Sequence, residues 1–144
     1  MPVLLTPVTD PSTWAVEYDD IVYQMGDLVS STGSDTLVFP GGDANTVIDV
    51  WIGMETNIFE EITGKTTASV TDDEEISNWK TAIIYAVCIR VINLAIAQRL
   101  REREFTIAMR ELREYYSTEY VSIQSRQETV SNLVDYQETE EQWS

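Results

Sequence analysis

Thr71-Asp72-Asp73-Glu74-Glu75-Ile76-Ser77-Asn78-Trp79-Lys80-Thr81-Ala82-Ile83-Ile84-Tyr85-Ala86-Val87-Cys88 is the stretch that decides the fold. A threonine followed three residues later by glutamate has the form of a capping box, and the acids sit at the positive end of a helix dipole. Ile76, Trp79, Ile83, Ala86/Val87, Arg90, Leu94, Ala97 and Arg101 then recur every three or four residues. Ile84, Cys88, Val91 and Ala95 widen this apolar stripe to more than half of the circumference. The spacing predicts a helix from Asp72 to about Arg103. Neither glycine nor proline occurs between Lys65 and Ser144, so the breakers that cost about 1 and 3 kcal/mol in a helix interior are missing. A helix apolar over so wide an arc needs cover on several sides, and about thirty residues span roughly 45 Å. The expectation is that copies of the chain cover it together and that one end projects or contacts another chain.

Upstream, Asp43 is a good N-cap after Gly41-Gly42. Val47/Ile48, Trp51/Ile52, Glu55, Ile58/Phe59 and Ile62 form a stripe, and Gly64 supplies a left-handed stop. A shorter helix is predicted over about Asp19 to Ser30, capped by Asp19 or Asp20 and closed by Ser31-Thr32-Gly33. Ser34 to Gly42 reads as a loop in which Thr36-Leu37-Val38-Phe39 is a short strand or an extended crossing. Downstream, Phe105, Ala108/Met109, Leu112, Tyr115/Tyr116 and Val121 make a fourth helix or a bent continuation of the long one. The fold class is therefore mainly α: a small helical bundle of three to four helices, one long, with extended N- and C-terminal arms. The arms are residues 1–17, punctuated by Pro2, Pro7 and Pro11, and residues 123–144; the bundle is 18–122. Trp51, Ile62, Trp79, Ile83, Val87 and Leu94 are the expected core.

The chain carries 25 acids against 9 bases, a net charge of −16, with no histidine and only two lysines, Lys65 and Lys80. Such a surface repels nucleic-acid phosphate, and repels itself unless salt screens it. Many acids, few lysines and ample Thr and Val resemble the proteins of extreme halophiles. Arg99, Arg101, Arg103, Arg110 and Arg113 stand out within this acidic chain. Each alone reads as part of a solvated face with Glu/Arg pairs at helical spacing. Together they read as a stripe that meets an acidic neighbouring subunit, with Trp14 a further candidate for a subunit interface. No apolar run reaches the roughly 18 residues of a membrane span, since Ala82 to Ala97 is broken by Arg90 and Asn93. Met1-Pro2-Val3-Leu4-Leu5 lacks the basic region of a secretory signal. Neither a membrane partner nor export by that route is expected.

Catalytic chemistry finds little to use. With no histidine and one cysteine, Cys88, zinc sites of the usual kind are excluded, and nothing nearby in sequence would lower the thiol pKa. Phosphate loops, dinucleotide fingerprints and nucleophile elbows are missing. Asp72 to Glu75 reads as a helix start rather than a cation site. No cofactor and no metal are expected, and the chain does not read as an enzyme.

The run from Asp43 through Glu61-Ile62-Thr63-Gly64-Lys65 into Ile76…Trp79-Lys80-Thr81-Ala82-Ile83-Ile84-Tyr85-Ala86 resembles the head–tail connector, or adaptor, proteins of tailed phages and related archaeal viruses. In that family an aromatic-bearing helix ending (E/D)-x-x-T-G-(R/K) precedes a longer helix rich in Ala and Leu/Ile. The resemblance covers about Asp43 to Arg103. It implies a virion protein of the neck, between capsid and tail, assembled in the host cytoplasm. It also implies a homo-oligomeric ring, typically dodecameric, between a portal protein and a stopper or tail protein. DNA would pass through the ring without sequence-specific binding. It further implies that the C-terminal segment reaches the portal, with Val130, Leu133, Tyr136 and Trp143 as candidate anchors. The competing reading from composition is an acidic DNA mimic that inhibits a basic nucleic-acid-binding protein, which the arginine cluster disfavours.

Overall fold

Local chemistry sets most of the helix boundaries. The computed structural model describes residues 14–30 and 37–143, the stretch 128–143 as helix backbone. The expected N-terminal arm before Trp14, and the closing residues Ser31 to Gly33, lie outside the described residues, as does Thr36. Helix α1 (Tyr18–Met25) starts one residue earlier than expected because Glu17 caps it. The Glu17 backbone N–H donates to the Asp20 carboxylate at 2.9 Å. Gly26, at φ +49°, breaks the single helix expected here, and a short turn of helix, α2 (Asp27–Ser30), follows. Among the described residues Leu37 to Phe39 form no strand; the Val38 N–H donates to Gln98 Oε1 at 3.0 Å, and Gln98 Nε2 donates back to the Val38 carbonyl.

Helix α3 (Ala44–Thr63) has both expected ends. Asp43 Oδ1 accepts from the Thr46 N–H at 2.8 Å, which holds this exposed carboxyl below its ordinary pKa. Gly64 is left-handed at φ +71°. Helix α4 (Asp73–Gln98) begins one residue later than expected: Asp72, not Thr71, is the cap, accepting from the Glu75 N–H at 3.2 Å. It also ends earlier, at Gln98. Residues 99–102 reverse the chain, and α5 (Arg103–Trp143) returns antiparallel along α4, so Phe105 belongs to a separate helix. The Glu102 N–H donates to the Arg99 carbonyl at 3.0 Å and the Thr106 hydroxyl donates to the same carbonyl at 3.2 Å, which closes a reversal that has no glycine.

Helix α4 is the axis of the bundle, with α1, α2, α3 and α5 packed around it. Trp79, Ala82, Ile83, Ala86, Val87, Cys88, Val91, Ile92 and Ala95 are all buried within one chain. This overturns the expectation that partner copies are needed to cover the wide arc. The cover comes from the α3 side chains Ile48, Ile52 and Phe59, from Ile21 and Met25, and from the α5 stripe Phe105, Met109, Leu112, Tyr116, Tyr120 and Ile123. By length and hydropathy alone α4 would also suit a membrane span, a test that the core helix of a bundle passes equally, and half of the tested window is buried in the body.

Of the expected core, Trp79, Ile83 and Val87 are buried, while Trp51 and Leu94 are half-buried against it. Ile62 is a correction: it is 37% exposed, and the neighbouring Thr63 takes the buried position. Hydropathy favours isoleucine there, but the Thr63 hydroxyl donates to the Phe59 carbonyl at 2.8 Å and enters the core satisfied. Burial pushes the Cys88 thiol up to about 12, and burial chiefly pushes the Tyr116 phenol to about 12 as well. Two outcomes are expected. Native protein resists thiol alkylation at neutral pH and reacts once unfolded in denaturant. Because both folded pKa values are raised, their contribution to stability is complete below the ordinary pKa values of 9 and 10 and is lost as pH climbs toward 12. A pH series of urea midpoints should therefore fall on the alkaline side.

Candidate assembly surfaces

Trp14 packs into the body, which corrects its expected role. Its indole N–H donates to the Val70 carbonyl at 3.0 Å and to the Thr67 carbonyl at 3.2 Å, and its ring meets Trp79 edge-on with centroids 6.2 Å apart. The residue that reads as an interface anchor thus closes its own core over the short 3-10 turn Thr67–Ser69. A shallow cleft of about 420 Å³ lies between residues 14–16 and α3. Asp49 is the one carboxylate among its lining residues, so it offers no acid–base pair. Among the described residues no three His, Cys, Asp or Glu side chains gather as a cation cage.

The arginine cluster divides. Arg99 lies 3.8 Å from the Glu102 carboxylate and stacks over the Phe105 ring at 4.7 Å, and Arg113 donates to Asn93 Oδ1 at 2.7 Å. These two brace the α4–α5 hairpin from within. Arg101, Arg103 and Arg110 are exposed. Beside Arg101 and Arg103 at the hairpin tip stands Leu100, 62% exposed. Val38, 74% exposed, is held at the same end by the two bonds to Gln98 that flank its side chain. The tip is thus basic and apolar on a chain that is acidic almost everywhere else.

On α3, Val50, Met54, Ile58 and Ile62 are each more than a third exposed and follow one another at four-residue intervals. They form an apolar row about 18 Å long. Contiguous apolar surface of this kind marks interaction sites more often than isolated exposed leucines do.

The far end of α5 differs most from expectation. The boundary placed at residue 122 falls inside a helix, because nothing in the sequence breaks it. Ile123 and Gln127 are buried and belong to the body. The Gln127 side chain accepts from Lys65 Nζ at 3.1 Å, and the same ammonium pairs with Glu75 at 3.1 Å, so one lysine ties the loop after α3, the start of α4 and the last body turn of α5 together. Residues 128–143 continue as helix, about 24 Å of it. The side chains of Val130, Leu133, Tyr136 and Trp143 lie outside the described residues.

Sequence reading also missed an ion pair. Glu55 and Arg90 appear there as members of separate apolar stripes and are not paired; in the fold their side chains meet between α3 and α4, 11% and 30% exposed. Two charges at stripe positions of neighbouring antiparallel helices were the available signal. Arg90→Ala strands the Glu55 carboxylate in a largely buried site. Breaking a fully buried pair costs about 3–5 kcal/mol, and partial solvent access at Arg90 reduces this to roughly 2–3. Urea denaturation of the variant measures it directly.

Comparison with known protein families, with curated proteins and with solved structures finds no match to this chain.

Proposed function

We propose that this protein is a structural assembly module, a head–tail connector of a virion neck that forms a homo-oligomeric ring between portal and stopper or tail proteins. The observation that carries the reading is a division of labour within one chain. The body closes its own core, and α5 nevertheless continues as helix for sixteen residues after Gln127. A helix that continues sixteen residues past the last described body side chain offers length for a neighbour or partner to engage. The exposed row on α3 and the tip at residues 99–103 add surface for subunit contacts. A net charge of −16 suits a channel through which DNA slides without sticking. The assignment to a virion neck comes from the resemblance over Asp43 to Arg103. In this reading Tyr136 and Trp143 on the arm engage the portal.

Negative-stain electron microscopy of the purified chain, alone and with its cognate portal, tests the proposal. Rings of the chain, or a monomer that assembles on portal, are expected. A monomer that ignores portal but binds a basic nucleic-acid-binding protein tightly and in a salt-sensitive way would replace this reading with that of a DNA mimic.

A further inference from the structure

We infer that residues 3–8 of this chain lie extended along the apolar row of their own helix α3, over Val50, Met54, Ile58 and Ile62. Residues 1–13 lie outside the described residues, and Trp14 fixes where they join the body. Its indole N–H is bonded to the Thr67 and Val70 carbonyls, in the loop that follows α3. From there residues 14–16 form one wall of the cleft whose other wall includes Gly53 and Asn57 of α3. On the helix surface Gly53 adjoins Val50, and Asn57 adjoins Met54, at spacings of three residues. The row thus adjoins the cleft across the solvent side of α3.

Length and chemistry match the segment to this row. Val50 to Ile62 covers about 18 Å of helix, and Val3 to Val8 spans about 17 Å when extended. From Val8 to Trp14 an extended chain reaches up to about 20 Å, enough to cross a helix about 10–12 Å wide. Thr6 and Asp10 each precede a proline, which favours extended backbone. Val3, Leu4, Leu5 and Val8 supply apolar side chains, and residues 1–9 carry no charged one. The exposed residues of α3 from Val50 to Ile58 carry none either. Gly53 leaves the crossing point bare. A Cβ there would meet nothing within 4 Å, so the described body gives no reason for a residue that weakens a helix interior. A chain segment crossing α3 at close range does. A second copy suits the row less well. It brings a net charge of −16 against an equally acidic neighbour. Four partly exposed side chains also fall well short of the about 800 Å² per partner of a stable interface. The tethered segment, by contrast, competes at millimolar effective concentration. The covered row then presents residues 3–8, rather than bare α3, to any neighbouring subunit.

Cysteine cross-linking of the full chain tests this. Leu4→Cys is combined with Ile58→Cys in one variant and with Thr118→Cys, an exposed site on α5, in another. Cys88 is buried and does not compete. Both variants, checked for wild-type helical content by circular dichroism, are treated with a short bismaleimide. Gel mobility and peptide mass then separate links within one chain from links between chains. A link within one chain is expected at Ile58, with a yield about tenfold above that at Thr118, because docking raises the local concentration of Leu4→Cys. Equal yields at the two sites show a free tether and overturn the docking, as does no link at Ile58. A link at Ile58 that joins two chains gives the row to a second copy; it overturns the contact within the chain and leaves self-assembly standing.

Discussion

Trp79→Ala is expected to lower stability by about 3–5 kcal/mol. Trp79 is fully buried at the centre of the bundle. Its ring stands perpendicular to Phe59 with centroids 4.7 Å apart and meets Trp14 edge-on at 6.2 Å. Removing it opens a cavity between α3, α4 and the segment at Trp14 and takes away both ring contacts at once. Such aromatic pairs add about 0.5–1.5 kcal/mol beyond their buried area. The Trp79 indole N–H is buried with no hydrogen-bond acceptor, and a buried unpaired donor costs about 1–3 kcal/mol. Trp79→Phe removes that donor and keeps a ring, so it should cost far less than the alanine variant. Urea midpoints of the two variants separate lost volume from lost hydrogen bonding. A small effect in both would mean that the centre of the bundle lies elsewhere.

Cutting the chain after Gln127 is expected to abolish assembly while leaving the fold almost untouched. Among the described side chains, Ile123 and Gln127 are the last buried ones on α5, and the Lys65 ammonium secures that turn. The truncated chain should keep its urea midpoint and its helical content per residue, and should lose both self-association and attachment to portal. Cutting after Ser122 is a different experiment. It removes the buried Ile123 side chain and leaves Lys65 without Gln127, so a cost of roughly 2–4 kcal/mol is expected. The contrast locates the end of the body at Gln127.

What the sequence reveals depends on the range of the interaction. Asp43 and Gly64 bound α3 as expected because a cap bond to Thr46 and a left-handed glycine act within four residues. Trp79, Ile83 and Val87 are legible as core because their spacing keeps them on one face. The reversal at 99–102 is not legible, since no residue there breaks a helix; the fit of the α5 stripe onto α4 turns the chain. Trp14 reads as an anchor without an address, because its acceptors at Thr67 and Val70 lie more than fifty residues away. Thr63 and Ile62 exchange expected places because a local hydroxyl bond alters the cost of burial. The width of the α4 stripe says how much cover is needed but not which chain provides it. The stripe read from Phe105 through Tyr116 lies in the same sequence, but Tyr120 and Ile123, which complete the cover, are not read there, and Val121, read in their place, is 55% exposed.

The corrected burial moves the case for assembly from the core to the ends. A body whose central helix is buried within one chain leans less on neighbours for stability, and the apolar row on α3 and the tip at 99–103 are surfaces its core does not use. Mass photometry of the full chain, alone and with its cognate portal, measures most directly whether copies come together. The account predicts a closed species of about a dozen copies of the 16.4 kDa chain, formed alone or on portal. A single 16.4 kDa species under both conditions would contradict it.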